Sequence, residues 1–306
     1  MKSNMKKLFV AGHKGMVGSA ILRHCKDYEP ITVDKSKVDL RNQQQVDDFI
    51  AETKPDKVVV CAAKVGGIHA NNTYPAEFIY DNLMIQTNVI NSSYKNGVKR
   101  LLFLGSTCVY PKYAPQPMTE DCLLSGPLEP TNEAYAIAKI AGIKLCEFYR
   151  KQYGVTYHSA MPTNLYGLND NYHPDNSHVI PGLIRKIHEA KLRGDSKYQI
   201  WGSGAPKREF LYADDLAEIC YKLLEIDKPP DLINVGSDNE VTILELTKLI
   251  CSVVGFSGSI VTGDSKMDGP PRKKTDCTLL RSIINTEEVN FNIGLDRVYK
   301  DFLERY

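Results

Sequence analysis

The sequence predicts an α/β protein: a doubly wound parallel sheet with a smaller, non-contiguous substrate-binding portion. Three observations lead to this fold class. Short apolar runs at 7–11, 57–63 and 101–105 alternate with segments of helical periodicity. The runs are almost wholly apolar, which is typical of strands buried on both faces of a parallel sheet. The first run enters a glycine-rich loop and then an amphipathic helix, the order of a unit with a right-handed crossover.

Composition limits the partners and the compartment. The 306 residues have a formal net charge of +1, so no basic excess indicates nucleic acid or an anionic membrane as a partner. No apolar run approaches ~18 residues, and we expect neither a signal peptide nor a membrane span. The eight cysteines are scattered and form no Cys-x-x-Cys pair. We therefore expect reduced thiols in a cytoplasmic protein and no metal site.

The glycine loop after the first strand has the context of a dinucleotide-binding (Rossmann) fingerprint. Gly12 permits a tight turn, Gly15 lets backbone amides approach a pyrophosphate, and Gly18 lets the helix pack on the strand. The spacing is Gly-x-x-Gly-x-x-Gly, a variant of the commoner Gly-x-Gly-x-x-Gly. The candidate cofactor-binding residues here are Gly12, His13, Lys14, Gly15, Met16, Val17 and Gly18.

The second strand, predicted at 31–34, ends at the position expected to meet the adenosine ribose. Asp34 could accept hydrogen bonds from a free ribose 2′-hydroxyl, whereas Lys14, Lys35 and Lys37 could neutralise a 2′-phosphate. These residues leave the choice between NAD and NADP open.

The rest of the first half continues the alternation. We expect ligands near the loop at 64–74, because it follows the carboxyl end of a strand. Glycines 97 and 154 end the two long helices. The predicted elements are a helix at 43–52, a strand at 57–63, a helix at 75–96, a strand at 101–105, a helix at 133–153 and a strand at 155–161.

The pattern changes after residue 161. We predict a dinucleotide-binding domain at 1–165 and a mainly substrate-binding portion at 166–306, with part of 205–240 returning to the sheet. Thr242 is placed to cap a helix. The predicted elements are a helix at 179–193, a strand at 198–201, a helix beginning at 210, a strand at 232–235 and a helix at 242–254.

Four polar side chains have the chemistry for moving a hydride to or from a carbonyl carbon. In a strand, alternate positions share a face, so Ser106 and Cys108 could enter one pocket. Tyr135 and Lys139 are four residues apart in an alanine-rich helix and share its face. An ammonium beside a phenol is expected to lower the tyrosine pKa toward neutrality. A Tyr-x-x-x-Lys pair also occurs by chance in many helices, so the pair alone does not settle its role.

Several longer motifs resemble the GDP-L-fucose synthase family of extended short-chain dehydrogenases/reductases, which epimerise and reduce a GDP-4-keto-6-deoxymannose. The resemblance runs from near residue 5 to about 276. The segments that carry it are 12–18, 62–68, 71–75, 106–108, 133–142, 161–167, 176–181 and 201–204.

The resemblance implies an NADP(H) enzyme, with NAD possible, and assigns roles to the catalytic residues. Ser106 and Tyr135 would bind the carbonyl at carbon 4, and Lys139 would hold the nicotinamide ribose. Cys108 and His178 would exchange protons at carbons 3 and 5. A reductase acting only at carbon 4 of a GDP-4-keto hexose or heptose is the alternative, and a non-catalytic NADP(H) sensor is a more distant one.

The resemblance also implies ligand contacts and a homodimer. The GDP phosphates need local cations, for which Arg185, Lys186 and Arg208 are candidates, and Trp201 could stack on guanine or cover the sugar. The helices at 75–96 and 133–153 would form the dimer interface. Further implied cofactor contacts are Asp34, Lys35, Asp39, Leu40, Ala62, Ala63, Leu104, Gly105, Tyr135, Lys139, Pro162, Asn164, Leu165 and His178. Implied substrate contacts are Ser106, Cys108, Asn164, Val179, Lys186, Trp201, Arg208 and Asp268.

Overall fold

The computed structural model describes residues 5–306 and alternates strands with helices through most of that range. The strands are β1 (Lys6–Ala11), β2 (Tyr28–Ile31), β3 (Lys57–Val60), β4 (Arg100–Leu104), β5 (Thr156–Pro162), β6 (Asn164–Tyr166), β7 (Lys197–Gln199), β8 (Lys207–Tyr212), β9 (Leu232–Val235), β10 (Glu240–Thr242), β11 (Ser259–Val261) and β12 (Arg272–Lys273). The helices are α1 (Met16–His24), α2 (Gln43–Thr53), α3 (Ile68–Thr73), α4 (Pro75–Lys95), α5 (Glu133–Tyr153), α6 (Val179–Arg193), α7 (Ala213–Glu225), α8 (Ile243–Val254), α9 (Thr278–Ile283) and α10 (Phe291–Arg305).

Six parallel strands form the main sheet in the order β2-β1-β3-β4-β5-β9. The chain runs outward from β1 to β2 and then crosses back to β3 on the other side. The loops after β1 and β3 therefore diverge at a topological switch point, where open α/β sheets bind ligands. The predicted fold class is confirmed.

Side-chain alternation along β1 builds a core on each face of the sheet. Leu8 and Val10 pack with α1 and α7, whereas Phe9 and Ala11 pack with residues of α2, α4 and α5. All four residues are at most 1% exposed. Helices thus cover both faces, as a parallel sheet with apolar strands requires.

A second layer is assembled from later segments. Strands β10, β8 and β12 form a sheet that β6 joins, and β7 pairs separately with β11. Helices α6, α8 and α10 contribute to the hydrophobic core of this layer. Thr242 caps α8, and its side chain accepts a hydrogen bond from the Glu245 backbone.

The segment 205–240 contributes to both layers. Strand β9 pairs with β5 at the edge of the main sheet, and α7 packs in the same core as α1. Strand β8, in contrast, lies in the second layer. The domain boundary near residue 165 stays a prediction.

Two element predictions are wrong. The second strand is β2, which begins three residues earlier than expected because Tyr28 is buried and pairs with Lys6. The sheet edge tolerates Pro30, which has no backbone N–H to donate. The helix expected from Phe210 begins at Ala213, because residues 207–212 form β8 between other strands.

Candidate active site

The glycine loop packs so closely against its neighbours that Gly12 and Gly18 leave no room for a side chain. Gly12 has φ +89°, and a Cβ there would lie 2.6 Å from the backbone nitrogen of Ala62, at the end of β3. A Cβ on Gly18 would overlap the Gly12 carbonyl oxygen. Gly15 precedes α1, and its backbone N–H donates to the Gly12 carbonyl (3.1 Å). The close approach of loop, β3 and helix N-terminus fits a dinucleotide pyrophosphate.

At the predicted ribose position, Asp34 forms a cluster with Lys14 and with His13, whereas Lys35 and Lys37 are exposed. The Lys14 ammonium lies 2.7 Å from the Asp34 carboxylate, and the His13 ring nitrogen lies 3.3 Å from it. Lys14 lowers the pKa of Asp34, which is therefore ionised and locally neutralised at pH 7. The Asp34 carboxylate would accept from a free 2′-hydroxyl and the Lys14 ammonium would bind a 2′-phosphate, so this cluster accommodates either dinucleotide.

Arg41 is a second basic group at this end, and sequence reasoning missed it. Its guanidinium pairs with Asp39 (2.7 Å) and with Asp81 on α4 (3.0 Å). Hydrogen bonds from Arg41 lower the pKa of Asp39 to about 2. Asn88 donates to the Leu40 carbonyl (3.0 Å), which ties the same loop to α4. The signal available in the sequence was an arginine two residues after Asp39, a predicted cofactor contact.

Ser106 and Cys108 approach each other for a different reason than predicted. Strand β4 ends at Leu104, and the backbone turns at Thr107–Val109, so strand alternation is the wrong explanation. Ser106 caps this turn, and its hydroxyl accepts a hydrogen bond from the Cys108 backbone (3.3 Å). Both residues remain partly accessible. The turn thus presents a hydroxyl and a thiol after the strand end.

Tyr135 lies close to both of these groups, but its pKa moves opposite to the expected direction. Burial raises the pKa of Tyr135 above its usual value, and negative charge on Cys108 would raise it further. The nearby Ser106 hydroxyl lowers the pKa of Tyr135, but by less than burial raises it. The predicted shift toward neutrality is therefore wrong for this structure, because desolvation of the phenol outweighs its neighbours.

Lys139 is buried between α5 and the main sheet. Its ammonium donates to the Leu104 carbonyl (2.8 Å) and lies 4.7 Å from the Phe103 ring centroid and 5.8 Å from that of Tyr135. Burial lowers the pKa of Lys139 to about 8. The Lys139 ammonium therefore loses its proton more readily than that of an exposed lysine. It lies one helical turn from the Tyr135 phenol.

Helix α4 positions α5 and the loop after β3, a role that sequence reasoning missed. Gln86 is buried and donates to the Ala138 carbonyl, between Tyr135 and Lys139. Asn82 holds the backbone of Lys64, accepting from its N–H (2.9 Å) and donating to its carbonyl (3.0 Å). The signal in the sequence was the pair of amide side chains, Asn82 and Gln86, on a long helix. Their hydrogen-bond partners lie far away in the sequence, so the signal did not identify them.

His178 directly precedes α6, and its side chain makes no capping hydrogen bond. The segment before it is tied to the loop after β3, since the Gly67 N–H donates to the Asn176 carbonyl (3.1 Å). The imidazole remains solvent-accessible, yet the surrounding protein lowers its pKa. A neutral ring at pH 7 is therefore available to accept a proton.

The predicted phosphate-side residues come from three chain segments. Arg208 donates to the Pro270 carbonyl (2.8 Å), and the Asp268 carboxylate accepts from the Ser203 backbone (2.8 Å) beside Trp201. Lys186 is exposed on α6. Arg185 on the same helix is engaged elsewhere, because it donates to the Tyr172 carbonyl and pairs with Glu189.

The other implied contacts follow strand ends. Asn164 donates to the Glu209 carbonyl (2.9 Å), so its amide already links β6 to β8. Glu209 is fully buried and accepts from the backbones of Ser237 and Thr275, a junction that sequence reasoning missed. The remaining implied contacts follow β3, end β4 or β5, lie in β6 or begin α6; they are Ala62, Ala63, Leu104, Gly105, Pro162, Leu165 and Val179.

A sizeable cavity lies away from the predicted site. It measures about 780 Å³ and is lined by Lys6, Tyr28 and Glu225, near the amino-terminal ends of β1 and β2. That edge is opposite the glycine loop. No helix among residues 5–306 is long and apolar enough to cross a membrane.

The fold and this site define a nicotinamide-dependent oxidoreductase of the short-chain type. The family model of the NAD dependent epimerase/dehydratase family matches residues 8–236. The chain belongs to that family, and its resemblance to GDP-L-fucose synthases is confirmed by curated relatives.

Two relatives and one solved structure illustrate the similarity. Putative GDP-L-fucose synthase 2 of Arabidopsis thaliana is 54% identical over 99% of this chain and 94% of its own length. GDP-L-fucose synthase of Sinorhizobium fredii is 52% identical over 97% of this chain and 96% of its own length. A GDP-mannoheptose C4 reductase from Campylobacter jejuni, solved with NADP bound, is 34% identical and has a TM-score of 0.89. The match covers 99% of this chain and 100% of that structure.

Proposed function

We propose that this chain converts a GDP-4-keto-6-deoxymannose-type sugar to GDP-L-fucose or a close relative. It is an NADP-dependent oxidoreductase acting on a nucleotide sugar, in keeping with its relatives. One observation carries the assignment of the site: the Lys139 ammonium lies 5.8 Å from the Tyr135 ring centroid and donates to the Leu104 carbonyl at the carboxyl end of β4. The glycine loop lies at the same edge of the sheet.

The proposed reduction uses the phenol as a general acid. Bound NADPH supplies a hydride to carbon 4. Ser106 donates a hydrogen bond to the carbonyl oxygen, and Tyr135 transfers its proton to that oxygen as the alkoxide forms. The raised pKa keeps the phenol protonated at pH 7, which suits an acid. The Lys139 ammonium then favours the resulting phenolate.

The proposed epimerisation uses the same oxyanion site. Protons beside a ketone are acidic because an enolate can form, and the donors that receive the alkoxide also stabilise the enolate. The neutral imidazole of His178 and the thiol of Cys108 would exchange protons at carbons 3 and 5. The partial exposure of both residues supports this access.

Turnover with purified GDP-4-keto-6-deoxymannose tests the function. We expect loss of absorbance at the nicotinamide band with NADPH, slower loss with NADH, and a GDP-L-fucose product. Tight NADPH binding with no turnover would instead favour an NADP(H)-sensing protein.

A second candidate is a reductase that acts only at carbon 4. The similarity to a GDP-mannoheptose C4 reductase favours considering it. Reaction in deuterated water separates the two, because an epimerase incorporates deuterium at carbons 3 and 5. We expect Cys108→Ser to impair this exchange more than hydride transfer. A product labelled at neither carbon would remove Cys108 and His178 from the mechanism.

We also propose a homodimer through α4 and α5. The two helices carry exposed apolar side chains, including Tyr80 (60% exposed) and Phe148 (55%). Burial of such side chains against a second copy would stabilise the pair. Analytical ultracentrifugation should show a dimer that Phe148→Glu weakens, and a monomer at all concentrations would contradict it.

All eight cysteines are free thiols in the structure. Free buried thiols are typical of proteins in reducing compartments. This supports a cytoplasmic location, which fractionation would test.

A further inference from the structure

The segment between β6 and α6 leads to His178, and its first part is anchored on α10. Tyr172 is fully buried, its hydroxyl donates to the Val298 carbonyl (2.9 Å), and its ring centroid lies 5.0 Å from that of Phe302. Arg185 on α6 donates to the Tyr172 carbonyl (3.0 Å). The chain is therefore fixed in place at Tyr172, shortly before His178.

The last part of the segment is anchored on the loop after β3. The Gly67 N–H donates to the Asn176 carbonyl (3.1 Å), and a Cβ on Gly67 would lie 2.7 Å from the Ser177 carbonyl oxygen. The two backbones are thus in direct contact. The His178 carbonyl accepts from the Gly182 N–H (3.0 Å) in the first turn of α6. His178 is therefore held between the loop after β3 and α6.

His173 organises the turn between these two anchors. Its Nδ1 accepts hydrogen bonds from the backbone N–H groups of Asp175 (3.1 Å) and Asn176 (3.2 Å). A ring nitrogen that accepts is unprotonated, so the neutral ring carries its proton on Nε2. His173 is exposed, so its effect on the chain comes from these two hydrogen bonds and not from burial in a core. The two bonds set the path by which the backbone enters Ser177 and His178.

We propose that His173 is a positioning residue for proton exchange, because its Nδ1 fixes the turn that places His178 beside the substrate. The inference rests on the proposed function, in which His178 exchanges a proton with the sugar. A general base must lie within hydrogen-bond reach of the proton that it removes. A misplacement of about 1 Å can cost about 100-fold in rate. Loss of the two hydrogen bonds would release the backbone between Tyr172 and Asn176, and His178 would lose its fixed position.

Asparagine and leucine at position 173 separate hydrogen bonding from bulk. An Asn side-chain oxygen accepts from the backbone N–H two residues further on, which is the relation of His173 to Asp175. His173→Asn therefore keeps an acceptor, whereas His173→Leu fills the space without one. His24→Leu is the matched control. It makes the same change at the end of α1 remote from the glycine loop, where His24 pairs with Asp214 (3.4 Å).

Deuterium exchange with the full chain tests the proposal. GDP-4-keto-6-deoxymannose is incubated with the protein and NADP⁺ in deuterated water. Reduction then lacks a hydride donor, so label entering carbons 3 and 5 reports proton exchange alone. His173→Leu should slow the labelling about tenfold or more at saturating substrate, while the NADPH dissociation constant stays unchanged. His173→Asn and His24→Leu should label at rates close to wild type.

A double substitution tests whether His173 acts through His178. If it does, removing both side chains should cost no more than removing His178 alone, because the positioned group is already absent. The double variant His173→Leu with His178→Gln should therefore label at the rate of His178→Gln. Losses that multiply would overturn the proposal. Wild-type labelling in His173→Leu, or equal slowing in His173→Leu and His173→Asn, would also overturn it.

The outcomes separate this proposal from the proposed function. A wild-type protein that labels neither carbon would overturn the epimerisation and the role of His173 with it. Labelled wild type with an unaffected His173→Leu would overturn only the role of His173. NADPH binding verifies that each variant is folded. If His173→Leu fails that check, His173→Ala also removes the acceptor, and it must slow the labelling.

Discussion

The cofactor side and the substrate side of the cleft are built in contrasting ways. On the cofactor side, the glycine loop, β3 and α5 converge at one edge of a single sheet, and Lys139 is only 3% exposed. On the proposed substrate side, Trp201, Arg208 and Asp268 come from separate segments, which are joined by the Arg208–Pro270 and Ser203–Asp268 hydrogen bonds. The first arrangement is rigid by packing, whereas the second depends on a few hydrogen bonds. We therefore expect damage to the first to abolish chemistry and damage to the second to weaken binding.

The largest effect should come from Tyr135→Phe. It removes the proposed acid while preserving the ring packed against Phe78 (6.5 Å between centroids). Single-turnover hydride transfer should slow by about 10²–10⁴-fold. The NADPH dissociation constant should change little, and this serves as the control. A variant with near-wild-type turnover would show that another group protonates the oxygen.

Arg208→Met should raise KM for the GDP-sugar about tenfold to a hundredfold, because hydrogen bonds to charged groups contribute about 1.5–3 kcal/mol. Steady-state kinetics should show a smaller change in kcat. Arg185→Met is the matched control, since Arg185 is engaged by Tyr172 and Glu189. Equal effects of the two substitutions would contradict the distinction between them.

Two glycine substitutions compare the sides directly. Gly18→Ala places a methyl group against the Gly12 backbone and should cost about 1–3 kcal/mol of unfolding free energy, with weaker NADPH binding. A Cβ at Gly269 would meet only the far end of the Arg208 side chain, at 3.3 Å, so Gly269→Ala should leave stability nearly unchanged. Denaturant unfolding measures both. A tolerated alanine at Gly18 would mean that the loop is not fixed by packing.

The smallest expected effect is a pH dependence of stability that arises from one residue of the main sheet. His158 on β5 is fully buried without hydrogen bonds to its ring nitrogens, and burial lowers its pKa to about 3. The unfolded chain takes up a proton near pH 6.5, but the folded chain does not. Stability should therefore be full above pH 6.5 and fall toward pH 3.

By pH 5 the loss from this one residue should reach about 2 kcal/mol. Denaturant unfolding at pH 7 and pH 5 measures it. His158→Leu should reduce the difference between the two values, and an unchanged difference would assign the pH dependence to other groups.

The sequence was informative where local chemistry sets structure. Gly12, Gly15 and Gly18 predicted a strand–loop–helix unit, and Thr242 predicted the start of a helix, because turns and caps depend on neighbouring residues. The sequence was less informative where contacts between distant segments determine the secondary structure. Strand β8 forms because it pairs with three other strands, so residues 210–212 taken alone suggested the wrong element.

The site shows the same division. Ser106, Cys108 and Tyr135 could be nominated from motifs, but the pKa direction of Tyr135 depends on burial, which a motif does not contain. Arg41 and Gln86 were missed, because each acts through partners that only the assembled chain brings close.

Transfer of deuterium from NADPH labelled at nicotinamide carbon 4 to GDP-4-keto-6-deoxymannose tests the central claim most directly. The account predicts one deuterium at carbon 4 of the product sugar, with the transfer slowed strongly in Tyr135→Phe. Product formed without deuterium at carbon 4, or equal transfer rates in the two proteins, would contradict it.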